Sequence, residues 1–246
     1  MALLTGRPQL SGLDLYTSEA IASVPVGQIN DGYLGRYFRY SYAGGAALVA
    51  GNLLQEAAVI TSNINMAVAT AGVVGDSSLA ITNGTTTITN QQFVGGTLGV
   101  YTAGTVAVGD EYVITGVTGV FTTGGALRVY LDRPLRYAVT TGATVNINPN
   151  PWNGVIQFPV TTQTGMPVGV ALFALPLNTY GWVQTHGVAT ALSDTSTYAV
   201  GSGLVPSLAV AGAVGVNVAG TTHTPIGVSR QAAASTKGTS IFLTID

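Results

Sequence analysis

Acid–base or metal chemistry in this sequence would have to be built from two histidines and ten carboxylates, because Cys is absent and Lys237 is the only lysine. The histidines, His186 and His223, each lack an Asp, Glu or His two to four residues downstream, so neither opens a metal-ligand pattern. Ser193, Asp194 and His186 supply the residue types of a nucleophilic triad, but no Gly-x-Ser-x-Gly elbow presents a serine. Asp110-Glu111 is the one adjacent acidic pair, and Asp110 with Asp132 is the pair that folding could set across a cleft as a glycosidase requires. Gly201-Ser202-Gly203 runs into Leu204-Val205-Pro206, which matches neither a dinucleotide turn nor a phosphate loop. The expectation is a protein that is not an enzyme, with no catalytic, cofactor-binding or metal residues.

What remains to be explained is a surface with little charge. Charged residues are 7% of the chain, against roughly 25% in an average soluble domain. Mean hydropathy is +0.43, and 33 of 246 residues are Gly. Such a surface must be made of Thr, Ser, Asn, Gln and Gly, or be covered by partners. The net charge of −2, with scattered arginines, leaves no electrostatic footprint for nucleic acid. Met1-Ala2-Leu3-Leu4 meets Thr5, Gly6 and Arg7 too early for a secretory leader. The most apolar run, Leu208–Gly220, is too short and too rich in Gly for a membrane helix, so no membrane partner is expected.

The elements that would position any site read as short strands between turns. Residues 1–32 form an irregular, extended N-terminal arm broken by Gly6, Pro8, Gly12, Pro25, Gly27 and Gly32, with a short helix conceivable at Ser18–Ala22. A β-rich domain follows over 33–148 and a second β-rich module, barrel or sandwich, over 149–246, divided by the breaker Pro149-Asn150-Pro151-Trp152-Asn153-Gly154. Ala46–Glu56 has helical propensity, but Gly44, Gly45 and Gly51, with Val59-Ile60-Thr61 beyond, favour strands. Asn83-Gly84 between Ser78–Thr82 and Thr85–Thr89 predicts a β-hairpin on a type I′ turn, with Leu79 opposite Ile88. The same residues match a glycosylation acceptor, for which the turn is a sufficient explanation. Leu127–Leu131 alternates with Leu127, Val129 and Leu131 on one face, and Thr144–Ile147 and Ile241–Ile245 alternate likewise. Pro25-Val26-Gly27, Pro167-Val168-Gly169 and Pro225-Ile226-Gly227 repeat one phrase, proline setting a strand entry and glycine permitting a bulge or a close backbone approach. The fold class is therefore all-β: short antiparallel strands in one or two small sandwich or barrel modules.

Aromatic residues mark the candidate structural and interface positions. Tyr37, Phe38 and Arg39 lie in the strand-like run Arg36–Tyr40, Trp152 lies in the breaker, and Tyr180, Trp182 and Gln184 lie in Tyr180–Gly187. An uninterrupted strand there puts Trp182, Gln184 and His186 on one face and Val183 on the other. Trp152, Trp182 and the tyrosines could alternatively stack on sugar rings, although core and interface roles are commoner for aromatics in β proteins.

Several stretches carry a resemblance. They are Ala47–Gly51, Gly109-Asp110-Glu111-Tyr112-Val113-Ile114, Leu131-Asp132-Arg133-Pro134-Leu135, Asn150–Ile156, Pro167–Ala171, Phe242–Asp246 and Tyr180-Gly181-Trp182-Val183-Gln184-Thr185-His186-Gly187, of which Tyr180-Gly181-Trp182-Val183-Gln184-Thr185 is the most specific part. Together, over about residues 36–246, the chain resembles virion structural proteins of tailed bacteriophages, most of all the β-rich capsid decoration, or cement, proteins. The resemblance implies a non-catalytic protein made in the host cytoplasm and carried on the capsid surface. It would form a homo-oligomer, typically a trimer, bound to the major capsid protein. A tail or fibre component and a carbohydrate-binding surface module are the alternatives. The arm, Leu3–Asn30, is expected either to strap a neighbour or to complete its own domain.

Overall fold

In strand Ala126–Leu131, Leu127, Val129 and Leu131 are buried while Ala126, Arg128 and Tyr130 face out, the period of two that a pleated strand with one face on the core imposes. The computed structural model describes residues 14–89, 91–101, 108–160, 163–216, 223–233 and 236–246. Among them the strands are β1 (Ile29–Asp31), β2 (Tyr37–Tyr42), β3 (Leu53–Gln55), β4 (Met66–Thr70), β5 (Ser78–Thr82), β6 (Thr97–Val100), β7 (Glu111–Gly119) and β8 (Ala126–Leu131). They continue as β9 (Thr144–Asn148), β10 (Ile156–Gln157), β11 (Pro167–Ala171), β12 (Tyr180–Leu192), β13 (Gly203–Pro206), β14 (Val214–Val216), β15 (Gly227–Ser229) and β16 (Gly238–Thr244). Every strand pair is antiparallel. Among the described residues the only helical pieces are two 3₁₀ turns, Tyr33–Gly35 and Thr61–Asn63, and no described helix is long and apolar enough to cross a membrane. The protein is all-β.

Two compact units share the chain. One is Val59–Asn150, and the other joins Met1–Ala58 to Pro151–Asp246. This corrects the expected division at 32/33 and 148/149. Residues 33–58 belong with the C-terminal module because β2 pairs with β12, and β3 pairs with β10 and β11. The Val59–Asn150 unit is thus spliced into the connection between β3 and β10, two strands that bond to each other.

The inserted unit is a closed barrel in the order β4-β5-β8-β7-β6-β9, each of these strands pairing with a neighbour on either side. Its interior holds Leu79 and Ile81 of β5, Leu127 and Val129 of β8, Val145 and Ile147 of β9, with Phe93 beside them, all essentially inaccessible. On β7 the inward residues are Tyr112, Ile114 and Val117, a break in alternation. Ile114 pairs with Leu131 and Gly116 with Tyr130, so Thr115 is an inserted bulge residue and the inward set changes parity there.

The hairpin expected at Asn83-Gly84 does not form. β5 is paired on both edges, with β4 and β8, and Leu79 lies opposite Val129 rather than Ile88. Neither Asn83 nor Gly84 has the positive φ that a type I′ turn needs. Asn83 instead buries its side chain and donates Nδ2 to the carbonyls of Thr86, Phe121 and Thr122 at 3.1, 2.9 and 3.0 Å, pinning two loops to the barrel.

In the other unit ten strands form one sheet, β10-β3-β11-β12-β16-β15-β13-β14, with β2 and then β1 attached to the first half of β12. The sheet curls around Leu53, Val170, Ala191, Leu204, Val214, Ile226, Ile241 and Leu243. Its ends approach one another: the Leu53 N–H bonds Gly212 O at 2.7 Å, and the Gly212 N–H bonds Phe158 O at 2.9 Å. The repeated phrase behaves as its residues suggest in the two copies that enter strands. A Cβ on Gly169 would sit 2.7 Å from Gln184 O, and one on Gly227 would sit 2.0 Å from Phe242 O. Only three residues of the Ala46–Glu56 stretch form a strand, and Thr61 begins a 3₁₀ turn. No helix forms at Ser18–Ala22; Glu19 instead exchanges two backbone bonds with Tyr180, at 2.9 and 2.8 Å. With β1 paired to β2, residues 19–31 lie on their own unit, while Leu3–Leu13 falls outside the described residues.

Candidate functional site

β12 is where the sequence-singled residues converge. Its first half pairs with β2 in the register Tyr180↔Tyr42, Trp182↔Tyr40 and Gln184↔Phe38, and its second half pairs with β16 from His186↔Thr244 to Leu192↔Gly238. Paired residues project to the same side of a sheet. Trp182, Phe38 and Tyr40 therefore form one buried aromatic cluster, with the Tyr40 and Trp182 rings edge-to-face at 5.2 Å.

The expectation that His186 shares the face of Trp182 and Gln184 is overturned. Gln184 pairs with Phe38 but His186 with Tyr37, the next residue of β2, so Thr185 is the extra residue of a bulge. The bulge moves His186 to the face of Val183 and Arg39, where its ring lies 5.2 Å from Tyr37 and 5.4 Å from Phe242. Gly187, at φ 82°, follows the bulge and passes against Gly35 and Arg36, leaving no room for a Cβ. No spacing in the sequence reveals this, because a bulge residue has no obligatory type.

On that face lies a polar cluster. Arg39 donates Nε and Nη2 to the two carboxylate oxygens of Asp246 at 2.7 and 2.9 Å, and Nη1 to Gly27 O at 2.9 Å. Its guanidinium carbon sits 4.4 Å over the Trp152 ring. His186 Nδ1 is 2.8 Å from the Asp246 carbonyl oxygen; that oxygen only accepts, so Nδ1 carries the hydrogen. Beside the cluster a groove of about 310 Å³ is lined by Trp152, Met166, Pro167, Pro225, Ile245 and Asp246. Of the sequence candidates, Phe38, Trp182 and Gln184 are core, while Tyr37, Arg39, Trp152 and Tyr180 are half-buried. Sequence reading missed Asp246 as the partner of Arg39, 207 residues away.

The candidate chemistry is dispersed. Asp194 is buried and its carboxylate accepts from Ser196 N at 2.7 Å, from the Ser196 hydroxyl and from Ser207 Oγ at 2.8 Å. The His186 ring is held instead at Asp246, between Tyr37 and Phe242. In the barrel, Asp110 binds Arg136 at 2.8 Å and Tyr112 at 3.1 Å, and burial is the main cause raising the Tyr112 phenol above its ordinary value. Asp132 accepts the Val113 N–H at 2.8 Å and faces Arg133 at 3.5 Å. Asp110, Asp132 and Asp194 are thus each engaged as structural acceptors. No three His, Asp or Glu side chains gather into a metal set among the described residues.

Near the N-terminal end of β12, the Tyr40 hydroxyl donates to the Glu19 carboxylate. Burial, and then this bond, raise the Tyr40 phenol, while hydrogen bonds from Ser23 and then Tyr40 lower the Glu19 carboxyl. No protein family, curated protein or solved structure matches this chain.

Proposed function

We propose that the protein is a structural component of a tailed-phage particle, decorating and stabilising the capsid as a homo-oligomer bound to the major capsid protein. The observation that carries this reading is the surface. With only 7% charged residues, the chain leaves Ile21, Tyr33, Leu34, Val73, Val74 and Val200 more than 60% exposed. A surface of this kind gains by being covered, and stable contacts between proteins bury on the order of 1,200–2,000 Å². The all-β construction suits the role, because strands tied by long-range backbone bonds resist being pulled apart. The engagement of Asp110, Asp132 and Asp194 in local bonds favours an architectural over a hydrolytic role.

The test is to mix the purified protein with empty expanded capsids. Saturable binding together with a raised capsid melting temperature supports decoration; absence of binding at micromolar concentration rejects it. Mass measurement of the free protein reads the oligomer, for which a trimer is the expected result. Glycan binding that disappears in Trp152→Ala would shift the reading to a carbohydrate-binding surface module.

A further inference from the structure

Among the described residues Leu34 is the only apolar side chain at positive φ, with φ 62° and ψ 32° at the tip of the β1–β2 hairpin. A β-carbon crowds the neighbouring carbonyl in that left-handed region, so glycine fills most such positions in this chain, Gly35 beside it included. Burial in a core would account for a leucine held there. Leu34 is instead 68% exposed, and Tyr33 before it is 83% exposed. The tip is nonetheless fixed in place. The Gly32 N–H bonds Arg36 O at 2.7 Å, and a Cβ on Gly32 would come within 2.5 Å of the Phe38 ring. Gly35 O in turn lies against Gly187, 2.8 Å from where a Cβ there would stand. Backbone strain that holds two apolar side chains out in water marks a contact surface.

The same unit carries a recess of matching chemistry. The groove beside Arg39 has walls of Trp152, Met166, Pro225 and Ile245 and a rim of Thr224 and Thr244. Met166 is 55% exposed at its edge. At about 310 Å³ the groove lies at the low end of the roughly 300–1,000 Å³ of small-ligand sites. It has room for a side chain or two and none for a strand. The charged side chain that lines it, Asp246, is bonded to Arg39, so the groove presents apolar surface edged with hydroxyls. The tip offers the same pairing, an apolar body and the Tyr33 hydroxyl. Tyrosine and tryptophan are the side chains on which interfaces concentrate their energy, a ring of one partner filling a pocket of the other. The tip supplies Tyr33 and the groove Trp152. In its own chain the tip stands clear of the groove, since Tyr33 and Leu34 are exposed and do not line it. The groove that takes the tip therefore belongs to another copy.

We propose that the Tyr33–Leu34 tip of one copy docks into the Trp152–Met166 groove of a second copy, the contact that builds the homo-oligomer. The inference rests on the homo-oligomer of the function proposed above and not on its binding to capsids. Because the chain has no Cys, single-cysteine chains report the contact without background. Leu34→Cys chains mixed with Met166→Cys chains under mild oxidation should give a disulfide between copies joining positions 34 and 166, identified by peptide mass. The control pairs Met166→Cys with Val200→Cys, a position 66% exposed. The first mixture should bridge at least about fivefold more than the control, and equal yields would overturn the proposal. Association gives the second readout, by sedimentation. Leu34→Gly relieves the left-handed backbone and so spares the fold, yet it should raise the dissociation constant of the oligomer at least about tenfold; unchanged association would overturn the proposal. A Leu34→Gly chain that still oligomerises but no longer binds empty capsids would make the capsid protein the occupant, which also overturns it. A wild-type chain that is monomeric and binds capsids would overturn this inference alone and leave decoration standing. An oligomer bridged between positions 34 and 166 that ignores capsids would reject decoration and support the contact.

Discussion

Arg39 and Asp246 tie β2 to the residues that follow β16: the guanidinium donates to both carboxylate oxygens, at 2.7 and 2.9 Å, while its flat face covers Trp152. The side chains are 18% and 28% exposed, so the pair is partly shielded from water. Geometry matters more here than charge, since only a planar fork bonds both oxygens and stacks at once. Arg39→Ala should cost about 1–2 kcal/mol, read as a lower urea midpoint at unchanged m-value. Arg39→Lys should recover less than half of that loss; full recovery would show that charge alone suffices.

Trp182 is 3% exposed in the cluster with Phe38 and Tyr40. Trp182→Ala should destabilise the fold by about 3–5 kcal/mol through lost contacts and a residual cavity. A variant with wild-type melting behaviour would contradict the burial.

Asn83 donates to three carbonyls of the barrel unit from a position 3% exposed. Asn83→Ala strands those acceptors and should cost roughly 1–3 kcal/mol. Asn83→Asp should be worse at neutral pH, because a carboxylate faces the same carbonyls, and should improve on acidification as protonation restores a donor. A flat pH response in the Asp variant would refute this account.

Gly227 lies where any Cβ would meet Phe242 O at 2.0 Å across the β15–β16 pair. Gly227→Ala should therefore cost at least about 1–3 kcal/mol. Gly75→Ala is the control: its φ is also positive, at 98°, but nothing crowds the position. Equal losses at the two sites would assign the effect to backbone conformation rather than to close approach.

Tyr40 and Tyr112 both have phenols raised in the folded state, chiefly by burial. A folded pKa above the unfolded value, near 10, means that the folded state holds the proton more tightly. Their contribution is therefore complete below about pH 10 and is lost as pH rises through the folded values. Stability should fall in that alkaline window, and Tyr40→Phe should flatten the fall. The check is the urea midpoint against pH, with tyrosinate absorbance followed in parallel.

Strand character was legible wherever one face meets the core and the other meets water. Leu127–Leu131, Thr144–Ile147 and Ile241–Ile245 alternate in sequence and in burial because a pleat has a period of two. The glycines of Pro167-Val168-Gly169 and Pro225-Ile226-Gly227 were legible too, since removal of a Cβ is the direct means of a close backbone approach. The Asn83-Gly84 turn misled because local propensity loses to barrel closure: both edges of β5 are taken by other strands, and Asn83 does more as an internal donor.

By itself the sequence determined an all-β, cysteine-free, sparsely charged chain and the faces of its regular strands. Only the tertiary structure decided the rest. It inserted the barrel between β3 and β10, turned His186 away from Trp182 at Thr185, and set Asp246 on Arg39. The reason is range: alternation and turn chemistry act over a few residues, whereas pairing partners, bulges and the Arg39–Asp246 bond join segments as much as 207 residues apart.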